Sequence, residues 1–231
     1  MREEEVKPSE IIFENDDILV LNKPAGVVVN DSESTGRETL QSIISKSFSF
    51  ETSRLRDFRS GIVHRLDKET SGVILVAKSK AFFEKLQKEF FDRKVEKRYI
   101  ALVHGELAEN EGVINKPIGR LPKNRRKFGI IEEGREAETH YKVLKVYLKD
   151  GEKLSLVELT PKTGRTHQIR VHLKSLGHPI VSDPLYVGRK TLRSDKKWCP
   201  RLFLHATELK IFGNTYKSNL SDDLEKVLQS L

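Results

Sequence analysis

Residues 141–148 and 154–159 are two runs rich in Val, Leu and Tyr, separated by a segment containing Asp150-Gly151. Asp-Gly between two such runs is a strong short-range signal for a β-hairpin. It constrains the fold because a hairpin makes its two strands antiparallel neighbours. Further strand-like runs occur at residues 11–13, 18–21, 27–29, 73–77, 99–103 and 202–209. Helical spacing is rarer. It appears in residues 39–48 through Leu40, Ile43 and Ile44, and in the stripe Phe82, Phe83, Leu86, Phe90 and Phe91. It recurs in Ile169, Leu173 and Leu176, stopped by Gly177, and in a last helix that Ser221 can cap. Strands outnumber helices, and neighbouring strands are often hairpin-linked. The expected class is α+β around a largely antiparallel sheet, not a doubly wound parallel one. No low-complexity linker divides the chain. Residues 1–8 read as a flexible tail and residues 9–231 as one domain.

Composition excludes several classes. A single cysteine in 231 residues forms no internal disulfide and no thiolate zinc site, which fits a reducing, cytoplasmic setting. No apolar run approaches the ~20 residues of a membrane span, and the opening MREEEVKPSE lacks the apolar segment of a signal peptide. Forty-two Lys and Arg against 34 Asp and Glu give a net charge of +8, which favours a polyanionic partner without identifying one. The basic residues cluster. Arg120, Lys123, Arg125, Arg126 and Lys127 form one group, and Arg189, Lys190, Arg193, Lys196, Lys197 and Arg201 another around Trp198. Arg54, Arg56 and Arg59 form a third. Such loops can follow a phosphate backbone or simply be solvated surface.

Two segments are too polar for their surroundings. The first, Gly61-Ile62-Val63-His64-Arg65-Leu66-Asp67-Lys68-Glu69-Thr70-Ser71-Gly72, leads into the buried strand at 73–77. Arg65 and Lys68 flank Asp67, a setting that favours a charged carboxylate. Such a group acts as a nucleophile at a sugar carbon or as a general base. Equally, Asp67 can order its own loop by accepting from the amides at 70–72. The second segment runs from Thr160-Pro161 through Arg165, His167 and Arg170 to Leu173. There a strand gives way to a tight turn and a helix begins near Thr166, leaving amides and positive charge for an anionic group. Arg170 can grip a carboxylate bidentately, so an Asp67–Arg170 pair is a candidate core, and a structural salt bridge is its plain alternative. Among seven histidines, His167 and His172 are five apart and there is no His-Glu-x-x-His, so no metal is expected. Tyr99, in Lys97-Arg98-Tyr99-Ile100-Ala101, is a strand residue that could stack on a base.

These blocks, with Lys23-Pro24-Ala25-Gly26, Gly177-His178-Pro179-Ile180 and Asp183-Pro184-Leu185-Tyr186, resemble the RluA-type pseudouridine synthases in content and order. The resemblance runs from about residue 11 to about residue 209 and implies a single catalytic domain with a mixed, mainly antiparallel central sheet and flanking helices. It implies isomerisation of uridine in ribosomal or transfer RNA, with RNA as the partner and no metal or cofactor. By position, Asp67 matches the catalytic aspartate, Tyr99 the tyrosine that stacks on uracil, and Arg170 the arginine that pairs with the aspartate. Arg65 matches a residue that fills the gap left by the flipped nucleotide, and Val171 one that lines the base pocket. His64 and Arg165 join the substrate-binding set as members of the same blocks. Asn30, Ser182 and Val187 depart from the usual pattern, Ser182 standing where Gly is common. Many relatives carry a small N-terminal RNA-binding domain, and this sequence starts almost directly at the catalytic blocks. A monomer is expected, since no exposed apolar seam is evident. A non-catalytic RNA-binding module on the same fold is the competing reading, and a metal-dependent hydrolase a distant third.

Overall fold

A computed structural model describes residues 10–31, 38–124 and 127–231. The expected tail at 1–8 and the basic residues Arg125 and Arg126 lie outside the described residues. In chain order the elements are β1 (Glu10–Glu14), β2 (Ile18–Lys23), α1 (Leu40–Ser47), β3 (Ser71–Ala77), α2 (Lys80–Phe91), β4 (Glu96–His104), β5 (Glu111–Asn115) and β6 (Ile118–Arg120). There follow β7 (Phe128–Ile130), β8 (Glu138–Lys149), β9 (Glu152–Pro161), α3 (Gln168–Ser175), α4 (Arg189–Asp195), β10 (Leu204–Ile211), β11 (Asn214–Lys217) and α5 (Asp222–Gln229). The described residues form two compact units, those up to 95 with 208–219, and those of 96–207 with 220–231.

In the first unit β1 pairs antiparallel with β2, and β2 with β3 from Ile18↔Ala77 to Lys23↔Gly72. The Asn15 side chain closes the β1–β2 turn by accepting from the Asp17 and Ile18 amides. Every residue of β3 is buried, which is why that stretch reads as a continuous apolar run. Its side chains meet Phe83 and Leu86 of α2 and Leu209 and Ile211 of β10 in one core. Ser79 caps α2 by accepting the Phe82 N–H. Thr39 and Ser42 cap α1 reciprocally, a capping box with Ser in place of the usual Glu. Residues 27–29, expected as strand, are irregular. Their carbonyls serve other donors: Val28 and Val29 accept the Leu40 and Gln41 amides that open α1, and Val27 accepts the Lys23 ammonium.

The second unit carries an antiparallel run in the order β4-β9-β8-β5. The β8–β9 hairpin forms at the expected place, with Asp150 at φ 50° and Gly151 at φ 83°, the left-handed pair a type I′ turn requires. An isolated parallel bridge joins Gly105 to Leu154. Ala101, Val103, Val157 and Leu159 of the sheet pack on Ile169 and Leu173 of α3 and on Leu224 and Val227 of α5. The β6–β7 hairpin forms a separate two-stranded sheet. The strand expected at 202–209 runs two residues later. Ser221 does occupy the N-cap position of α5, but its side chain makes no cap bond, because its hydroxyl accepts Arg201 Nη2 at 2.6 Å. The class is α+β with mainly antiparallel pairing, as expected. Among the described residues no helix is long and apolar enough to cross a membrane.

Candidate active site

Asp67 sits in a turn that its own backbone closes, its carbonyl accepting the Thr70 N–H at 3.1 Å. The turn is fastened from the neighbouring loop. Lys68 O accepts the Gly26 N–H at 2.8 Å and Lys23 Nζ at 3.2 Å. Lys23 is 0% exposed, and its ammonium also donates to Pro24 O at 2.8 Å and Val27 O at 2.9 Å. A buried ammonium is tolerated only when such acceptors replace its water. Gly26, at φ 88°, turns the chain so that its amide reaches the same carbonyl. The opening Lys-Pro-Ala-Gly segment therefore holds the residue that follows Asp67.

The approach to the turn is tightly set. Arg59, Ser60 and Gly61 take successive φ values of 48°, 52° and 85°. A Cβ at Gly61 would lie 2.1 Å from Ala77 O, so the backbone there presses directly on β3. His64 Nε2 accepts the Leu75 N–H at 2.9 Å, and its ring stacks on Phe90 with centroids 4.8 Å apart. His64 thus has a packing duty on β3 and α2. Leu66 is buried, while Arg65 is exposed, as are Arg54, Arg56 and Arg59 upstream.

In the second unit Tyr99 lies on β4 opposite Leu159 of β9 and packs, half-buried, against the sheet core. Burial lowers the pKa of Lys97, two residues before it. Arg170 is 3% exposed on α3 and is gripped by Asp183, Nε to Oδ2 and Nη2 to Oδ1, both at 2.8 Å. Asp183 Oδ1 also accepts the Leu185 and Tyr186 amides, so its carboxylate is itself fixed. Beside Arg170, Val171 is buried against Ile118, Ala137 and Tyr186. Arg165 Nε donates to Glu136 O at 2.9 Å. The helix starts at Gln168, two residues later than expected, because His167 turns left-handed at φ 56°. Gln168 explains the stop. Its Oε1 accepts Thr163 Oγ1 and the Arg165 N–H, and its Nε2 donates to Glu138 O and Thr139 Oγ1. The polar loop 163–168 is thereby tied to β8. His172 is wedged between Thr139 Oγ1 and Lys116 O, and burial holds its pKa below the usual histidine value.

A model described as RNA pseudouridylate synthase matches residues 17–175. The chain belongs to that family. It is 37% identical, over 98% of its length, to the ribosomal large subunit pseudouridine synthase D of Nitrosomonas europaea, of which it covers 66%. It is 43% identical over 78% of its length to an uncharacterized RNA pseudouridine synthase of Aquifex aeolicus, covering 56% of that protein. Of solved structures, human RNA Pseudouridylate Synthase Domain Containing 1 aligns with a TM-score of 0.75 at 32% identity, over 96% of this chain and 86% of that one. The chain thus spans between half and two thirds of the length of these curated relatives.

The pseudouridylate synthase match contains the seven candidate catalytic and substrate-binding residues: His64, Arg65, Asp67, Tyr99, Arg165, Arg170 and Val171. Asp67, Arg65 and His64 fall in the first unit and the other four in the second. Three residues that shape these surroundings escaped sequence reasoning. Asp183 grips Arg170, Lys23 pins the Asp67 turn, and Gln168 ties down the second polar loop. Asp183 and Lys23 do lie in motifs that stand out in the sequence, but spacing alone does not show which partner each takes. Among the described residues no cluster of His, Cys, Asp and Glu is arranged to hold a metal ion.

Proposed function

We propose that this chain is an RNA pseudouridine synthase whose residues 9–231 act as one catalytic domain. The carrying observation is the family match over residues 17–175, which includes Asp67, Tyr99 and Arg170 together. An RNA-binding module would have no use for that set. The reaction breaks the bond between uracil N1 and ribose C1′, turns the base, and joins C5 to C1′. The proton on C5 leaves and N1 gains one, so all atoms of product come from substrate and no redox partner or group donor is needed. The target base must first leave its stack, at a cost of a few kcal/mol that is smallest in a single-stranded loop.

Asp67 attacks C1′ as nucleophile or removes a proton from C2′. In either route a rigid turn matters, since a small misplacement of the carboxylate costs about 100-fold in rate. Arg170 matches the arginine that serves the catalytic aspartate in this family, and it is itself held rigid by Asp183. Tyr99 stacks on uracil and assists loss of the C5 proton. Val171 lines the base pocket, and Arg65 occupies the space the flipped nucleotide vacates. His64 and Arg165 shape the loops that receive the RNA. The substrate is large-subunit ribosomal RNA, in line with the printed name of the Nitrosomonas relative, with transfer RNA as the second choice. The protein works as a monomer in the cytoplasm.

The test uses RNA from cells lacking the protein, incubated with wild type or Asp67→Asn and mapped for new pseudouridines. Sites that appear only with wild type establish the activity and assign Asp67. Equal modification by Asp67→Asn refutes the assignment, and RNA binding with no new site in any RNA, assembled ribosomal subunits included, refutes the enzyme.

A further inference from the structure

Tyr186 has no part in the scheme above, yet it joins elements that the scheme needs. It is 4% exposed, and its ring and hydroxyl serve different partners. The ring lies 5.1 Å from the Arg170 guanidinium and 5.6 Å from Lys174 Nζ. Its backbone N–H donates to Asp183 Oδ1, the carboxylate that grips Arg170. The hydroxyl oxygen accepts the Phe128 N–H of β7 at 3.1 Å and lies 2.9 Å from His167 Nδ1. Phe128 then meets the His167 ring edge-on and carries Arg120 of β6 over its own ring at 5.1 Å. A continuous chain of contacts leads from Arg170 through Tyr186 to Phe128 and Arg120.

The β6–β7 hairpin needs such an anchor. Its two strands pair with each other over three residue pairs, and an isolated bridge joins Ile118 to Arg135. A two-stranded ribbon of that size is marginal by itself. It bears Arg120 and is followed or flanked by Lys123 and Lys127, the described cations of the first basic cluster. Where those cations point is set by what fixes Phe128 and Ile118. Ile118 is paired with Arg135 and buried against Val171 and Tyr186. A phenol suits the junction because its ring face attracts a cation while its hydroxyl serves an amide and an imidazole.

We propose that Tyr186 is a positioning residue that sets the basic β6–β7 hairpin against Arg170, so that gripping the RNA backbone and aligning the reacting nucleotide are one event. This rests on the RNA reading above and adds a residue and a coupling to it. Tyr186→Phe separates the two halves, since it keeps the ring over Arg170 and removes the oxygen that Phe128 and His167 share.

The experiment compares wild type and Tyr186→Phe in amide exchange and in steady-state kinetics on an unmodified large-subunit ribosomal RNA transcript. Exchange at Phe128 should rise about 10-fold, the equivalent of one lost hydrogen bond, with β9 amides unchanged. KM should rise about 5- to 10-fold with kcat within about 2-fold, and neutralising Lys123 and Lys127 should weaken binding less in Tyr186→Phe than in wild type. A lowered melting temperature with KM, kcat and Phe128 exchange all preserved would mean that Tyr186 only stabilises the fold, and would overturn the proposal. If wild type isomerises no RNA, exchange and RNA affinity still decide. Faster Phe128 exchange with weaker RNA binding keeps Tyr186 as the hairpin's anchor while the isomerase reading fails, and unchanged exchange and affinity overturn both.

Discussion

Lys23→Met removes the ammonium behind the Asp67 turn and keeps most of the side chain's length. In the native protein Nζ donates to the carbonyls of Pro24, Val27 and Lys68. Lys68 O would keep its bond from the Gly26 amide, so the substitution strands two carbonyls, those of Pro24 and Val27. A buried acceptor left without a donor costs about 1–3 kcal/mol, and since Val27 is buried and Pro24 only half-buried the two together cost about 2–5 kcal/mol. Removing a buried charge acts in the opposite direction, because its desolvation penalty disappears. The three carbonyl bonds already offset most of that penalty, so the loss should win, by about 2–4 kcal/mol. In urea this moves the unfolding midpoint down by about 1–2 M with an unchanged slope. The second readout is turnover. With Lys68 less firmly held, Asp67 shifts, and kcat should fall about 100-fold while RNA affinity stays within a few-fold. An unchanged midpoint together with wild-type kcat would refute the idea that Lys23 holds the turn.

Gly61→Ala places a Cβ 2.1 Å from Ala77 O at a backbone φ of 85°, and should cost at least about 3 kcal/mol, read by thermal unfolding. Asp183→Asn takes the countercharge from a guanidinium that is 3% exposed; a loss of about 3–5 kcal/mol is expected in denaturant titrations, and less than about 1 kcal/mol would refute the buried pair. His104 adds a pH dependence. Burial pulls its pKa down, but its hydrogen bonds to the Asp195 and Glu152 carboxylates outweigh that and raise it above 6.5. The stability it contributes is therefore complete below pH 6.5 and fades as pH rises through the raised value. His104→Gln should lose that slope, which unfolding midpoints measured across the neutral range would show.

Long one-sided patterns carry well from sequence to structure. The α2 stripe, the apolar run 73–77 of β3 and the β8–β9 hairpin with its Asp-Gly tip lie where their patterns place them, because Phe83 and Leu86, residues 73–77, and Leu154, Val157 and Leu159 are buried, although Phe91 and Leu148 stay exposed. Short elements without such a face do not announce themselves. Strand β5 exposes Val113 at its centre, and β6 and β7 are three residues each, so pairing with a neighbour defines them rather than their own composition. Residues 27–29 fail for the opposite reason, as apolar side chains suggest a strand while their carbonyls are committed elsewhere. At the candidate site Asp67 and Arg170 stand out because each lies within a contiguous polar block, whereas Tyr99 is singled out only by the family resemblance. The Arg170–Asp183 grip spans 13 residues and a turn, and no periodicity encodes it. Ser182 is a departure with a physical account. It adopts φ 58°, a conformation that favours glycine, and is held there by Asp195 Oδ2 on its amide and Cys199 O on its hydroxyl.

The first unit takes its core from two stretches far apart in the sequence. Val20, Leu75 and Leu86 need Leu209, Ile211 and Tyr216 to complete their packing. On a ribosome, residues 10–95 emerge ahead of residues 208–219 and wait for about 120 more residues, roughly 6–24 s at usual rates of synthesis. Over that interval the apolar side chains of β3 and α2 lack part of their cover. The β10–β11 hairpin, made well after them, closes a folding intermediate that residues 10–95 cannot finish alone. Truncation before residue 208 should yield an aggregation-prone chain in place of a smaller stable domain.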